Sequence, residues 1–132
     1  MFGFFCVEQE KRLNMEKVLG YHISEKDQLT RILAAMKIRF EEIREEDLRQ
    51  RVGDLADGKR TPLAMPFTGE APKESMLIFC GVSEKHLDKI LFTLRSMQIR
   101  TDLKAVLTPT NADWTVLMLF LELSREKLLT QK

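Results

Sequence analysis

The sequence is poor in residues that build covalent or metal-held frameworks. Its two cysteines, Cys6 and Cys80, and two histidines, His22 and His86, give neither a disulfide scaffold nor the ligand spacing of a zinc site. No metal and no cofactor is therefore expected. No stretch approaches eighteen uncharged apolar residues, so no transmembrane helix is expected. The opening Met1–Val7 is apolar but lacks a basic leader and a small-residue cleavage site, and Glu8–Arg12 follows at once. These absences point to a reducing, cytoplasmic setting. Neither sign of charge dominates: 21 Lys and Arg face 20 Asp and Glu, net +1, with both halves balanced. That excludes nucleic-acid or membrane binding driven by bulk charge. Glycine patterns that cradle phosphates are also missing, so nucleotide binding has no support.

What remains is an ordinary globular composition, 44% hydrophobic and 31% charged over 132 residues, enough to bury one core without staples. Punctuation gathers in one place. Gly58 to Pro72 holds three of the four prolines and two of the six glycines, which marks a linker over 58–73. It separates a first unit, 15–57, from a second, 74–132. Residues 1–14 read as an extension, with Met15 an alternative start.

Each unit reads as strand, helix, strand, helix. In the first, Lys17–His22 is a short apolar run. Leu29, Ile32, Leu33 and Met36 then recur at helical spacing, Phe40–Ile43 is a polar strand, and Asp47–Ala56 a short polar helix interrupted by Gly53. In the second, Met76–Cys80 is apolar throughout. Leu87, Ile90, Leu91, Leu94 and Met97 mark a helix, Leu103–Leu107 a strand, and Ala112 to about Leu128 a long helix. Ile23-Ser-Glu-Lys26 aligns with Val82-Ser-Glu-Lys85, and Met36-Lys-Ile-Arg39 with Met97-Gln-Ile-Arg100. The expected fold is therefore α/β: a duplicated βαβα unit forming a four-stranded, mostly parallel sheet with helices on both faces. Strands apolar on both sides belong in the centre, so the first and third are central and the second and fourth are edges. A ferredoxin-like α+β arrangement, with the two units opposed, is the alternative. Ser24 and Ser83 are expected helix caps, and Thr110 or Asn111 a cap for the last helix, with Asp113 favourable at its positive end.

The second unit resembles a small bacterial family of uncharacterised function, domain of unknown function thirty-seven eighty-three. The resemblance rests on Glu74-Ser-Met-Leu-Ile-Phe-Cys-Gly-Val-Ser-Glu84, on Leu87-Asp88 and Leu91, and above all on Leu103-Lys-Ala-Val-Leu-Thr-Pro-Thr-Asn111 with Trp114. It covers roughly 74–127. Tyr21-His-Ile-Ser24 and Gln50-Arg-Val-Gly-Asp-Leu55 are similar to the matching part of longer members. The family implies no activity and no catalytic residues.

In a parallel sheet, ligands bind beyond the carboxyl ends of strands. That edge would gather His22, Cys80, Gly81, Thr108, Thr110 and Asn111 as a ligand- or anion-binding set, with helix N-termini nearby. The plainer reading makes His22 a loop residue and Cys80 a small buried hydrophobe. A nucleophilic pair of Cys80 with His22 or His86 lacks any diagnostic spacing, and no catalytic residue is assigned. Glu41 to Asp47, interleaved with Arg39, Arg44, Arg49 and Arg51, reads as a solvated, charge-paired surface. Arg95, Arg100 and Lys104 lack the interleaved aromatics of an RNA surface. The last helix is apolar over much of its circumference: Trp114, Leu117, Leu121 and Leu128, then Val116, Leu119, Phe120 and Leu123. Its second surface is expected against Leu63–Phe67, against Phe2, Phe4 and Phe5, or against another subunit as a homodimer. The functional expectation is a cytoplasmic interaction or regulatory module. The alternative is a small-ligand or anion-binding protein, or an enzyme, using the sheet's carboxyl edge.

Overall fold

The computed structural model describes residues 16–60, 67 and 69–130. Expectations that fall on Phe2, Phe4, Phe5 and Leu63–Pro66 lie outside the described residues, as does the side chain of Leu128. Four strands, β1 (Lys17–Tyr21), β2 (Arg39–Ile43), β3 (Met76–Cys80) and β4 (Leu103–Val106), form one sheet in the order β2-β1-β3-β4. The helices are α1 (Lys26–Ala35), α2 (Val52–Ala56), α3 (Glu84–Ser96) and α4 (Val116–Thr130), with 3-10 turns at Glu45–Arg49 and Asn111–Asp113. The class and strand positions follow the apolar pattern: β1 and β3 are buried along their whole length and lie in the centre. The pairs β1–β2 and β3–β4 are parallel.

The central junction departs from a parallel sheet. β1 and β3 run antiparallel, Lys17 opposite Cys80 and Tyr21 opposite Met76. The seam is thus that of the opposed-unit alternative, while the layering is that of the two-sided α/β fold. The linker explains how. α2 ends beside Lys17, whose ammonium bonds the Leu55 carbonyl at 3.2 Å, whereas Tyr21 donates to the Pro72 carbonyl at 2.7 Å. Leu55 and Pro72 thus lie at opposite ends of β1, and the chain enters β3 from the far end.

Alternation in the strands divides the interior into two cores. Val18, Leu77 and Phe79 face α1 and α3 and pack with Leu29, Leu33, Ile90 and Leu94. Leu19, Tyr21, Ile43, Met76, Ile78, Cys80 and Leu103 face the opposite layer, Leu48, Val52, Leu55, Val116, Leu119 and Phe120. The 47–56 segment is therefore less polar in function than its composition suggests. Gly53 serves a close approach there: a Cβ would lie 3.0 Å from the Ala112 carbonyl oxygen.

Both units end their first helix in the same way. Lys37 and Gln98 have φ of 61° and 56°. Ile38 N–H donates to the Leu33 carbonyl and Ile99 N–H to the Leu94 carbonyl, each at 2.9 Å. This is a Schellman closure with its apolar contact, and it is the physical content of the repeated Met-x-Ile-Arg.

Three expected caps are corrected. Ser24 does not cap α1. Ile23 turns inward, at 7% exposure, and the helix starts only after Glu25, which makes no side-chain cap bond. Thr110 and Asn111 do not cap the last helix, which begins at Val116 rather than Ala112. Residues 114–116 are held extended against 50–52: Val52 N–H donates to the Trp114 carbonyl and Val116 N–H to the Gln50 carbonyl. Thr115 takes the capping role, accepting from Met118 N–H at 3.1 Å, and Asp113 lies in the preceding 3-10 turn. Ser83 does cap α3, accepting from His86 N–H.

Candidate functional site

The antiparallel seam decides where the expected ligand set sits. Cys80, Gly81, Thr108, Thr110 and Asn111 follow β3 and β4 and share one end of the sheet. His22 follows β1 and lies at the other, roughly 17 Å away, about a strand length. The six residues do not converge, and neither do Cys80 and His22 as a nucleophilic pair.

At the Cys80 end the polar groups are taken up within the chain. Thr108 N–H donates to Asn111 Oδ1 (2.9 Å), Asn111 N–H to Thr108 Oγ1 (3.1 Å), and Asn111 Nδ2 to the Val106 carbonyl (3.0 Å). The Glu16 carboxylate accepts from Ser83 N–H at 2.8 Å and lies 2.8 Å from His86 Nδ1. A side-chain carboxylate thus occupies the start of α3, where an anion would otherwise sit. Gly81 holds φ of 67°, a turn requirement. Cys80 is buried, and burial first, with Asp57 and Glu41 adding, pushes its thiol up to about 12 despite nearby Lys17. It is held as the thiol, which is a poor nucleophile.

At the other end His22 occupies a left-handed turn, φ 53°, with its ring stacked on Tyr21 at a centroid distance of 4.1 Å. Its Nε2 lies 3.0 Å from Glu45 Oε2 and its Nδ1 3.4 Å from the Lys73 carbonyl. Burial, then the charges of Glu45 and Glu74, push the Tyr21 hydroxyl up to about 12. His22 is therefore built into a turn that ties the linker to the end of β1.

The most concentrated electrostatics were not legible in the spacing. Lys17 pairs with Glu41 at 3.0 Å while bonding Leu55. Arg60 donates to both oxygens of Asp47 at 3.2 Å, to Glu41 at 3.0 Å and to the Glu42 carbonyl at 3.1 Å. The Lys17 and Asp47 side chains are only 6% and 4% exposed. The acidic run is thus not wholly a solvated surface. Glu41 and Asp47 belong to a partly buried network whose four members come from four segments, so no local motif announces it. A shallow cleft of about 320 Å³ lies elsewhere, between the start of β4 and α4, lined by Asp102, Leu103, Lys104, Leu123, Glu126 and Lys127. Among the described residues no group of three His, Cys, Asp or Glu side chains is placed to hold a metal. No helix among them is long and apolar enough to cross a membrane.

The β3-α3-β4-α4 unit, with its Thr-Pro-Thr-Asn turn, is the segment that a family model recognises. Residues 75–129 match the family described as Domain of unknown function (DUF3783). The match begins one residue before β3 and ends within α4, so the DUF3783 segment is one half of the sheet and the β1–β2 pair completes it across the seam. No curated protein and no solved structure matches the chain.

Proposed function

We propose that this protein is a cytoplasmic interaction or regulatory module that works by binding another macromolecule rather than by chemistry at the sheet edge. The observation that carries the reading is the internal bonding of Ser83, Thr108 and Asn111. A ligand there would have to displace bonds already made, including the Glu16 carboxylate at the start of α3. Burying a thiol as Cys80 does, and placing His22 a strand length away, favour the same reading.

A contact with a second copy through α4 is part of the proposal. Met118 and Leu121 are 49% and 58% exposed on its outer side, while Val116, Leu119 and Phe120 are spent in the core. Stable partners bury about 800 Å² each. Two half-exposed side chains contribute a fraction of that, so the contact is weak, and Leu121→Glu should abolish any concentration dependence in sedimentation.

The test of the binding-module reading is a titration of the full chain with phosphate, acetate and small dicarboxylates, followed by amide chemical shifts. The expected result is no saturable change at residues 80–83 and 108–111. Saturable shifts confined to those residues would replace the reading with the small-ligand or anion-binding alternative.

A further inference from the structure

The Thr108-Pro-Thr-Asn111 turn does something to the sheet that neither the family match nor the binding-module reading covers. In the β3–β4 ladder, Leu103 N–H bonds the Ser75 carbonyl and Leu107 N–H the Phe79 carbonyl, so 103, 105 and 107 point their backbone groups inward. Lys104 and Val106 therefore point theirs out, along an edge that no other described strand pairs. Among these outward groups, the Val106 carbonyl is occupied by Asn111 Nδ2 at 3.0 Å. The Asn111 side chain is fixed for this, because its Oδ1 accepts Thr108 N–H and its own N–H is held by Thr108 Oγ1. Asn111 is only 8% exposed. The same device recurs on the opposite edge, where β2 turns Phe40 and Glu42 outward and Arg60 Nη2 donates to the Glu42 carbonyl.

We propose that Asn111 guards the β4 edge against pairing with β4 of a second copy. The edge is self-complementary. A two-fold antiparallel pairing sets Lys104 opposite Val106 of the other copy, with the small Ala105 on the axis. It makes four backbone bonds, two of which end on the Val106 carbonyls. Asn111 blocks those two in each pairing. Val106 is already 48% exposed on the α3 side, so the strand brings apolar surface to the contact as well. Edge strands with unpaired backbone groups are templates for such addition, and natural sheets blunt them with side chains and turns.

The experiment compares the full chain with Asn111→Asp by sedimentation across protein concentration. Aspartate keeps the acceptor for Thr108 N–H but cannot donate to Val106. The expected outcome is at least a tenfold gain in self-association. Adding Val106→Pro should cancel that gain, because it removes an outward donor without touching the β3 ladder. A folded Asn111→Asp chain that associates no more than the parent overturns the proposal, and so does a gain that survives Val106→Pro. If Asn111→Asp does not fold, the unaltered protein decides. A scalar coupling across the hydrogen bond from Asn111 Nδ2 to the Val106 carbonyl, with slow exchange of that side-chain amide, is the expected result. Its absence overturns the proposal.

Discussion

Arg60 is the residue on which the buried charges depend. Its guanidinium meets Asp47 with two parallel bonds and reaches Glu41 and the Glu42 carbonyl. Truncation leaves the Asp47 carboxylate without its main partner in a site almost closed to water. Arg60→Ala should therefore cost about 1–3 kcal/mol in urea unfolding, less than breaking a fully buried pair, because Arg60 itself is exposed and Asp47 keeps the Arg44 N–H. Arg60→Lys should recover only part of it, since an ammonium cannot repeat the bidentate fork. Asp102 supplies a pH-dependent counterpart. The Ser75 backbone N–H, then its hydroxyl, then Arg100 and Lys127 hold the Asp102 carboxyl below its ordinary range. The unfolded chain takes up that proton first. The stabilisation is thus complete above the unfolded value, roughly pH 4, and is lost as pH falls through the lower folded value. Asp102→Asn should flatten the acid limb of the stability curve, measured by unfolding at a series of pH values. None of these residues stood out in the sequence. Charged side chains scattered over a polar segment look alike until the fold brings four segments together.

At the scale of elements, the helix starts separate what was legible from what was not. Ser83 and Ser24 occupy matching positions in nearly identical tetrapeptides, yet only Ser83 bonds the helix, accepting His86 N–H at 3.2 Å. Ser83→Ala should cost about 1 kcal/mol and Ser24→Ala close to nothing, read as thermal or urea unfolding of the two variants. The helix ends behaved differently. The paired Met-x-Ile-Arg sequences close both helices through left-handed residues and an inward isoleucine, a local motif that the sequence carries in full. Gly20 is the fourth of the five residues of β1 for a tertiary reason: a Cβ would come 2.6 Å from the Phe40 ring, which lies across the strand pair.

In the whole molecule, each core draws on both units, so neither half of the sheet has an interior of its own. Tyr21 of the first unit meets Phe120 of the second edge-on, with centroids 6.4 Å apart. Phe120 is 4% exposed and belongs to the core rather than to an outer face of α4. Phe120→Ala should cost about 3–5 kcal/mol. It should do so through one cooperative transition shared by both halves, with sedimentation unchanged. Separate transitions for residues 16–60 and 75–129, followed by amide exchange, would mean that the halves hold together independently.

Periodicity was enough to assign the four strands, the two helices that follow β1 and β3, the α/β class, and the central and edge places of the strands, because burial on one or both faces is written directly into the alternation of side chains. The same alternation is blind to direction. A strand buried on both sides reads identically in either sense, and a linker from Gly58 to Lys73 is long enough to enter β3 from either end. Only the tertiary pairing of β1 with β3 chose the antiparallel seam. With that choice it parted His22 from Cys80 and Gly81, while the packing of β2, the 3-10 turn and the start of the linker around β1 drew Lys17, Glu41, Asp47 and Arg60 into one network.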